Sequence, residues 1–278
     1  MKEKGRKLIC DISKYTFLFE KASRVRDIFE TKDEFKYKES ELRLIHGIIE
    51  VLGSKTYISS NIDDLLWFWR FGLSKCNKVV DFGCGSGYFS YLVSCLGKQV
   101  TGYEYSDKWV GQDYSSSEYN NVFTHFHSLL VSNVKDLKFK FYNSLPLRIE
   151  HGSVDGVIMY AVLEHLDRSV LELTLKDLKR ILRKNGLLFI GKLPRKYSYQ
   201  EWLSRLIGLK SHENLFTKRQ IVELLRRNGF KVIRIESTGL FFNHPNKLTN
   251  FLYTFTKIEK HLRFLPILHD YRLVVEKL

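Results

Sequence analysis

The stretch Val79-Val80-Asp81-Phe82-Gly83-Cys84-Gly85-Ser86-Gly87-Tyr88-Phe89-Ser90 limits what this chain can fold into more than any other. Val79 and Val80 are β-branched and apolar, as a central strand requires. Glycine then recurs at 83, 85 and 87, removing Cβ atoms where the backbone must bend and where a ligand must come close. Tyr88, Phe89, Tyr91, Leu92 and Val93 resume an apolar pattern that predicts a helix. The start of that helix leaves unpaired N–H groups facing whatever lies over the turn.

A dinucleotide site would need Gly-x-Gly-x-x-Gly. Counted from Gly83, Tyr88 stands where the third glycine should be; counted from Gly85, Ser90 does. What stands here is Asp-x-Gly-x-Gly-x-Gly. A second predicted strand, Lys98 to Glu104, ends in an acid about 20 residues past the turn, the spacing of a ribose-binding carboxylate. Turn and acid together resemble the first motifs of class I S-adenosylmethionine-dependent methyltransferases, of the small-molecule, type 11/23-like branch. A ligand-free turn with a merely solvated Glu104 would not require turn, spacing and acid to agree.

At 278 residues the chain is long enough for one large α/β domain with additions. It holds no apolar run of membrane-spanning length, and Leu8-Ile9-Cys10 is too short for a signal peptide. Cysteines stand apart at 10, 76, 84 and 95 with no Cys-x-x-Cys pair, so neither a disulfide framework nor a zinc site is indicated, and a cytoplasmic setting is expected. The net charge is +14, and Lys179 to Arg234 carries 15 Lys/Arg against 3 Asp/Glu. A basic surface with Tyr197, Tyr199, Trp202, Phe216 and Phe230 suits nucleic acid, an anionic membrane or an anionic small substrate, or is simply a solvated face.

Residues 1–77 read as an N-terminal helical extension or lid, of which 1–34 is either a short helix or a loosely held arm. Leu42, Leu44, Ile45, Ile48, Ile49 and Leu52 predict a helix over 39–52 that Gly53 stops. Asn61 is the expected N-cap of a second helix reaching Leu73. Residues 78–278 then read as a Rossmann-like domain with an acceptor-side insertion at about 192–216. Strands are expected at 78–82, 98–104, 138–142, 153–160, 187–190, 231–235 and 271–275. Helices are expected at about 87–96, 122–134, 171–182 (ended by Asn185-Gly186), from Thr217 to Asn228-Gly229, and 246–262; 106–120 reads as a loop. Such alternation means a doubly wound, mostly parallel seven-stranded sheet with helices on both faces. The resemblance places the last strand antiparallel, between strands five and six.

In a doubly wound sheet, ligands bind beyond the carboxyl ends of the strands, beside strand one. After strand four stand Leu163-Glu164-His165-Leu166, which resemble the Leu-Glu-His segment of the same family. The likeness extends to Ser211–Thr217 and covers about 78–238. It implies S-adenosyl-L-methionine as cofactor, S-adenosyl-L-homocysteine as product, and no metal. It implies Asp81 on the methionyl amine, Gly83, Cys84, Gly85 and Gly87 in the turn, Glu104 on the ribose, Tyr105 beside the adenine and Tyr160 at the methionine end. Asn143 stands where the family often has Asp for the adenine amino group.

Glu164, His165 and His212 are the candidate catalytic residues, histidine being the natural base near neutral pH. His165 can equally fix the loop after strand four, and His212 can equally be a surface residue. His46, His125 and His127 form no constellation and read as ordinary. No Pro-Pro motif follows strand four and no Pro-Cys occurs, which argues against the nucleobase amino and cytosine-C5 branches. The expected function is methyl transfer to an oxygen or nitrogen of a small-molecule, lipid- or glycan-linked acceptor. The alternatives are an RNA methyltransferase using the basic 179–234 surface, or a degenerate binding module. A helix over about 199–209 would align Trp202, Leu203, Leu206 and Ile207 on one face, to pack on the domain, cap the pocket or rest peripherally on an anionic inner-membrane surface. Nothing in the sequence sets the oligomeric state.

Overall fold

The computed structural model describes residues 16–29, 37–106, 115–199, 201–202, 214–239 and 268–278. The helix expected over 246–262, most of that over 199–209, and His212 lie outside the described residues. Three helices open the described chain, α1 (Thr16–Phe29), α2 (Glu39–Gly53) and α3 (Lys55–Arg70). There follow β1 (Lys78–Phe82), α4 (Tyr88–Cys95), β2 (Gln99–Tyr105), α5 (Ser116–Asn133), β3 (Leu137–Tyr142) and β4 (Val154–Tyr160). The rest is α6 (Arg168–Ile181), β5 (Leu182–Pro194), α7 (Lys218–Arg227), β6 (Phe230–Thr238) and β7 (Asp270–Lys277).

The strands form one seven-stranded sheet in the order β3-β2-β1-β4-β5-β7-β6. Pairings from β3 through β5 are parallel, whereas β7 runs antiparallel between β5 and β6. Alternate residues of each strand face opposite layers, and the period of two sorts the core. Val79, Ile158, Phe189 and Val274 join α1–α5 in one apolar cluster. Val80, Val157, Leu188 and Leu273 join α6 and α7 in the other. Both faces are covered, as near-continuous apolar strands require. The N-terminal helices are thus part of one sheet face: Leu18, Ala22, Val25 and Phe29 of α1 are fully buried.

Several boundaries differ from the sequence reading, each for a local reason. The second helix starts at Lys55, straight after the break at Ser54, and Asn61 lies in its interior. The buried Asn61 side chain donates Nδ2–H to the Tyr57 carbonyl at 2.7 Å, so it bonds the preceding turn instead of opening a new one. Helix α5 starts at Ser116 because Ser115 and Glu118 form a capping box ahead of the apolar pattern. Strand β5 starts at Leu182, where α6 ends; Asn185 takes φ 59°, and the register against β4 shifts between Val154 and Gly156. Among the described residues no helix is long and apolar enough to cross a membrane.

Helix α3 crosses the ends of β4, β5 and β7 and is tied there by a buried charge. The Asp64 carboxylate is 1% exposed. It accepts from the Tyr160 hydroxyl at 2.9 Å and from Arg272 Nη1 at 3.0 Å, with Lys192 Nζ 3.7 Å away. Arg272, wholly buried, also donates to Asp63 at 2.8 Å and lies 4.8 Å from the Trp67 ring centre. Removing one partner of a buried pair strands the other. Asp64→Ala should therefore lower the unfolding free energy by about 3–5 kcal/mol in urea titration. Glu39→Ala, which breaks an exposed pair with Arg43 on α2, should leave the unfolding midpoint unchanged.

Candidate active site

The glycine turn is a set of left-handed residues pinned between β1 and β2. Gly83, Gly85 and Gly87 have φ of 73°, 53° and 82°. A Cβ on Gly83 would lie 2.7 Å from Val162 Cγ2, and one on Gly87 would lie 2.5 Å from the Phe139 ring. A Cβ on Gly85 would meet nothing within 4 Å, so the space over that residue is open to a ligand. Gly83 and Cys84 donate their N–H groups to the Tyr103 carbonyl of β2. The Gly85 N–H goes to Glu104 Oε2 at 2.6 Å.

Two acids stand at the ends of β1 and β2. Glu104 is nearly fully buried and forms part of the wall of a cleft of about 500 Å³. Asp81 is 1% exposed; its Oδ2 accepts from the Ser90 hydroxyl at 2.6 Å, and its Oδ1 has no hydrogen-bond partner. Burial pushes the Asp81 carboxyl up to about 7, with the Ser90 bond opposing and the Glu104 charge adding. An unsatisfied buried oxygen beside an open glycine turn suits a cationic ligand group.

The cleft gathers five of the twelve residues singled out by sequence, Gly83, Glu104, Tyr105, Asn143 and His165. Gly83, Glu104 and Tyr105 line one side, Asn143 with Tyr142 the rim after β3, and Ala161, Val162 and His165 the segment after β4. Tyr160 is placed elsewhere. Its ring stacks on Phe89 at 4.1 Å between centres and its hydroxyl is held by Asp64. Cys84 is buried, and burial pushes its thiol well above the usual range, so it packs and does not react.

Glu164 and His165 point into different surroundings. His165 is half-exposed in the cleft, while Glu164 is 2% exposed. Glu164 Oε1 lies 3.8 Å from His165 Nε2, and its Oε2 is unpartnered. Burial holds the Glu164 carboxyl well above the usual carboxylate range, and the charges of Asp270 and Glu201 push it the same way. Burial therefore makes Glu164 harder to ionise than an exposed glutamate.

The sequence reading passed over Ala161, Lys192 and His127. Ala161 directly follows β4 with φ 55°, and Lys192 lies inside β5 near its end with φ 53°. The rule that sites lie beyond the carboxyl ends of strands would have found Ala161. His127 sits on α5 against the turn, and only its contacts reveal it. Among the described residues no group of three His, Cys, Asp or Glu is arranged to hold a metal ion, and Cys76, Cys84 and Cys95 are free thiols.

The strand order, the turn after β1 and the buried acid ending β2 define the class I S-adenosylmethionine-dependent methyltransferases. The family model described as "Methyltransferase domain" matches residues 33–235, and the chain belongs to that family. It is similar to the ubiquinone biosynthesis O-methyltransferase of Rhizobium leguminosarum bv. trifolii, 24% identical over 177 residues, covering 60% of this chain and 63% of that protein. It is likewise similar to a probable S-adenosylmethionine-dependent methyltransferase of Mycobacterium tuberculosis, 25% identical over 204 residues, covering 70% of this chain and 65% of the relative. The chain thus spans under two thirds of the length of both curated relatives. A solved SAM-dependent methyltransferase from Aquifex aeolicus shares the fold, with a TM-score of 0.50 at 15% identity, covering 78% of this chain and 90% of its own.

The residues present fit S-adenosylmethionine: Glu104 in the cleft wall, the unpartnered Asp81 oxygen, and the open face of Gly85. The raised Asp81 carboxyl has a consequence for stability. Its folded value of about 7 exceeds its ordinary 3.8, so the folded protein holds that proton more tightly between those values and loses stability as pH rises through them. Asp81→Asn should therefore melt above the wild type at about pH 8, with the gain shrinking steadily as the pH falls toward about 4. A melting difference that stays flat across that range would assign the shift to another group.

Proposed function

We propose that this protein moves a methyl group from S-adenosylmethionine to an oxygen, or to a nitrogen, of a small-molecule, lipid- or glycan-type acceptor. The observation that carries the reading is the buried Glu104 carboxylate, in the cleft wall and bonded to the Gly85 N–H. A carboxylate at that place can accept hydrogen bonds from both hydroxyls of a ribose. An O-methyltransferase name on a 24%-identical relative supports oxygen as the acceptor atom.

When bound, the cofactor supplies a methyl group on a positive sulfur, already activated for in-line displacement. The chain's work is then to position and to handle a proton. Glu104 anchors the ribose end, Asp81 meets the ammonium and ionises against it, and Tyr105 and Asn143 border the base. His165, the half-exposed imidazole of the cleft, takes the acceptor's proton on its ring, while burial makes the neighbouring Glu164 carboxyl harder to ionise. The RNA alternative is not carried forward, because the relative whose name points to an acceptor points to ubiquinone biosynthesis, and at least five of the fifteen cations of the basic segment already have partners. Arg180 pairs with Asp177, Arg183 with Asp155, Arg226 and Arg227 with Glu223, and Arg195 covers the Tyr271 ring. The intact turn argues against a degenerate binding module.

Calorimetric titration with S-adenosylmethionine and S-adenosylhomocysteine tests the reading, and no binding of either at millimolar ligand sinks it. Glu104→Ala should weaken binding by about 1–3 kcal/mol, the worth of hydrogen bonds to a charged group.

A lipid-linked acceptor is favoured by one further observation. Tyr197 and Trp202, just past β5, are 75% and 65% exposed, beside Arg195 and Lys196. Exposed aromatics next to cations suit the surface of an anionic bilayer, where each basic residue adds about 1 kcal/mol. The protein should pellet with anionic vesicles and not with neutral ones, and Tyr197→Ala with Trp202→Ala should reduce that pelleting while cofactor affinity holds. Equal pelleting with both vesicle types removes the attachment.

A further inference from the structure

Helix α5 lies on the far side of the glycine turn from the cleft, yet it sends one side chain into the turn. His127 is 4% exposed and its ring lies flat on Phe139 of β3, with centres 3.9 Å apart and planes 10° from parallel. Phe139 in turn occupies the space that Cβ atoms at Gly87 and Gly102 would need. His127 Nε2 is 2.8 Å from the Gly85 carbonyl oxygen. A carbonyl only accepts, so the proton of the neutral ring sits on Nε2. The other nitrogen, Nδ1, is buried without a hydrogen-bond partner, which agrees with a bare Nδ1. Burial also lowers the ring's pKa to about 4, so the neutral form persists at physiological pH.

The Gly85 residue is therefore held from both sides, its N–H by Glu104 and its carbonyl by His127. The Gly85 carbonyl shares a peptide plane with the Ser86 N–H, and in a trans peptide the two point in opposite directions. No described residue accepts from the Ser86 N–H among the hydrogen bonds of the turn. With its carbonyl drawn toward α5, that plane presents the Ser86 N–H on the side away from the helix. Glycine at 85 would otherwise let the plane rotate freely.

We infer that His127 is a positioning residue for the cofactor: by donating Nε2–H to the Gly85 carbonyl it sets the peptide plane that offers the Ser86 N–H to an acceptor oxygen of bound S-adenosylmethionine. The inference rests on the cofactor reading given above. His127 touches neither cofactor nor acceptor; it acts through the backbone of the turn.

Two variants separate the hydrogen bond from the stack. His127→Phe keeps a ring on Phe139 and loses the donor. His127→Gln keeps an N–H of similar reach and loses the ring. Calorimetry with S-adenosylhomocysteine should show the Phe variant about tenfold weaker than wild type and the Gln variant within about threefold, as loss and retention of one buried hydrogen bond predict. The unliganded Phe variant should melt somewhat below the wild type, because the Gly85 carbonyl loses its donor, and the affinity loss is read at a temperature where the variant is fully folded. Unchanged affinity in the Phe variant, or equal loss in both, overturns the inference while leaving the cofactor reading intact. Wild-type protein that binds no cofactor removes both. Should neither variant fold, nitrogen-15 shifts of the wild-type ring still decide: a proton on Nδ1, or on both nitrogens at neutral pH, overturns it.

Discussion

The glycine turn after β1 can exist only because its peptide planes are held from outside. Its left-handed residues carry no side chains to fix them, so Glu104 on β2 takes the Gly85 N–H and the Tyr103 carbonyl takes two more. Phe139 and Val162 fill the space where side chains would otherwise be. Strands β2, β3 and β4 therefore all bear on five residues between β1 and α4. Parallel pairing of β1 with both β2 and β4 brings these supports to one end of the sheet. The cleft opens there because nothing can cover the turn from above without a Cβ to pack against.

A second knot forms at the opposite flank of the strand ends. Asp64 of α3 receives Tyr160 from β4 and Arg272 from β7, and Lys192 at the end of β5 approaches it. Buried charges of this kind are weak stabilisers in sum, yet they are costly to break, so they specify how α3 sits across the sheet. The arrangement also takes Tyr160 out of the cleft. Its hydroxyl is committed to a carboxylate, and its ring to Phe89. Glu164, buried after β4, is pushed well above the usual carboxylate range by that burial first, with the charges of Asp270 and Glu201 adding to it.

The family shares its cofactor half and varies its acceptor half, so the fold by itself names no acceptor. In this chain the glycine turn is backbone, glycine and two acids on strand ends, whereas the cluster around Asp64 is made of long polar side chains from α3, β5 and β7 whose arrangement depends on contacts far apart in sequence. A relative at 24% identity can share the former without sharing the latter.

Local pattern was enough to determine the strands, the turn and its acids, while the antiparallel place of β7 came from the family resemblance. Val79-Val80 announces a buried strand, the spaced glycines a turn, and Glu104 an acid one strand away, because each depends on residues within a few positions of one another. Thr217 with Gln220 announced α7 in the same way. The start of α3 was missed because Asn61, a good cap in sequence, bonds the Tyr57 carbonyl once buried in a helix. The start of α5 was missed because its capping box lies in polar residues that read as loop. Tertiary structure alone decided which histidine matters to the turn. His127 stands 42 residues from Gly85, and only the packing of α5 on β3 brings its ring to that carbonyl. It alone decided, too, that Glu164 is buried and harder to ionise, and that Tyr160 bonds Asp64. A side chain's protonation and partner follow from what the fold packs around it, and no spacing in the sequence encodes that.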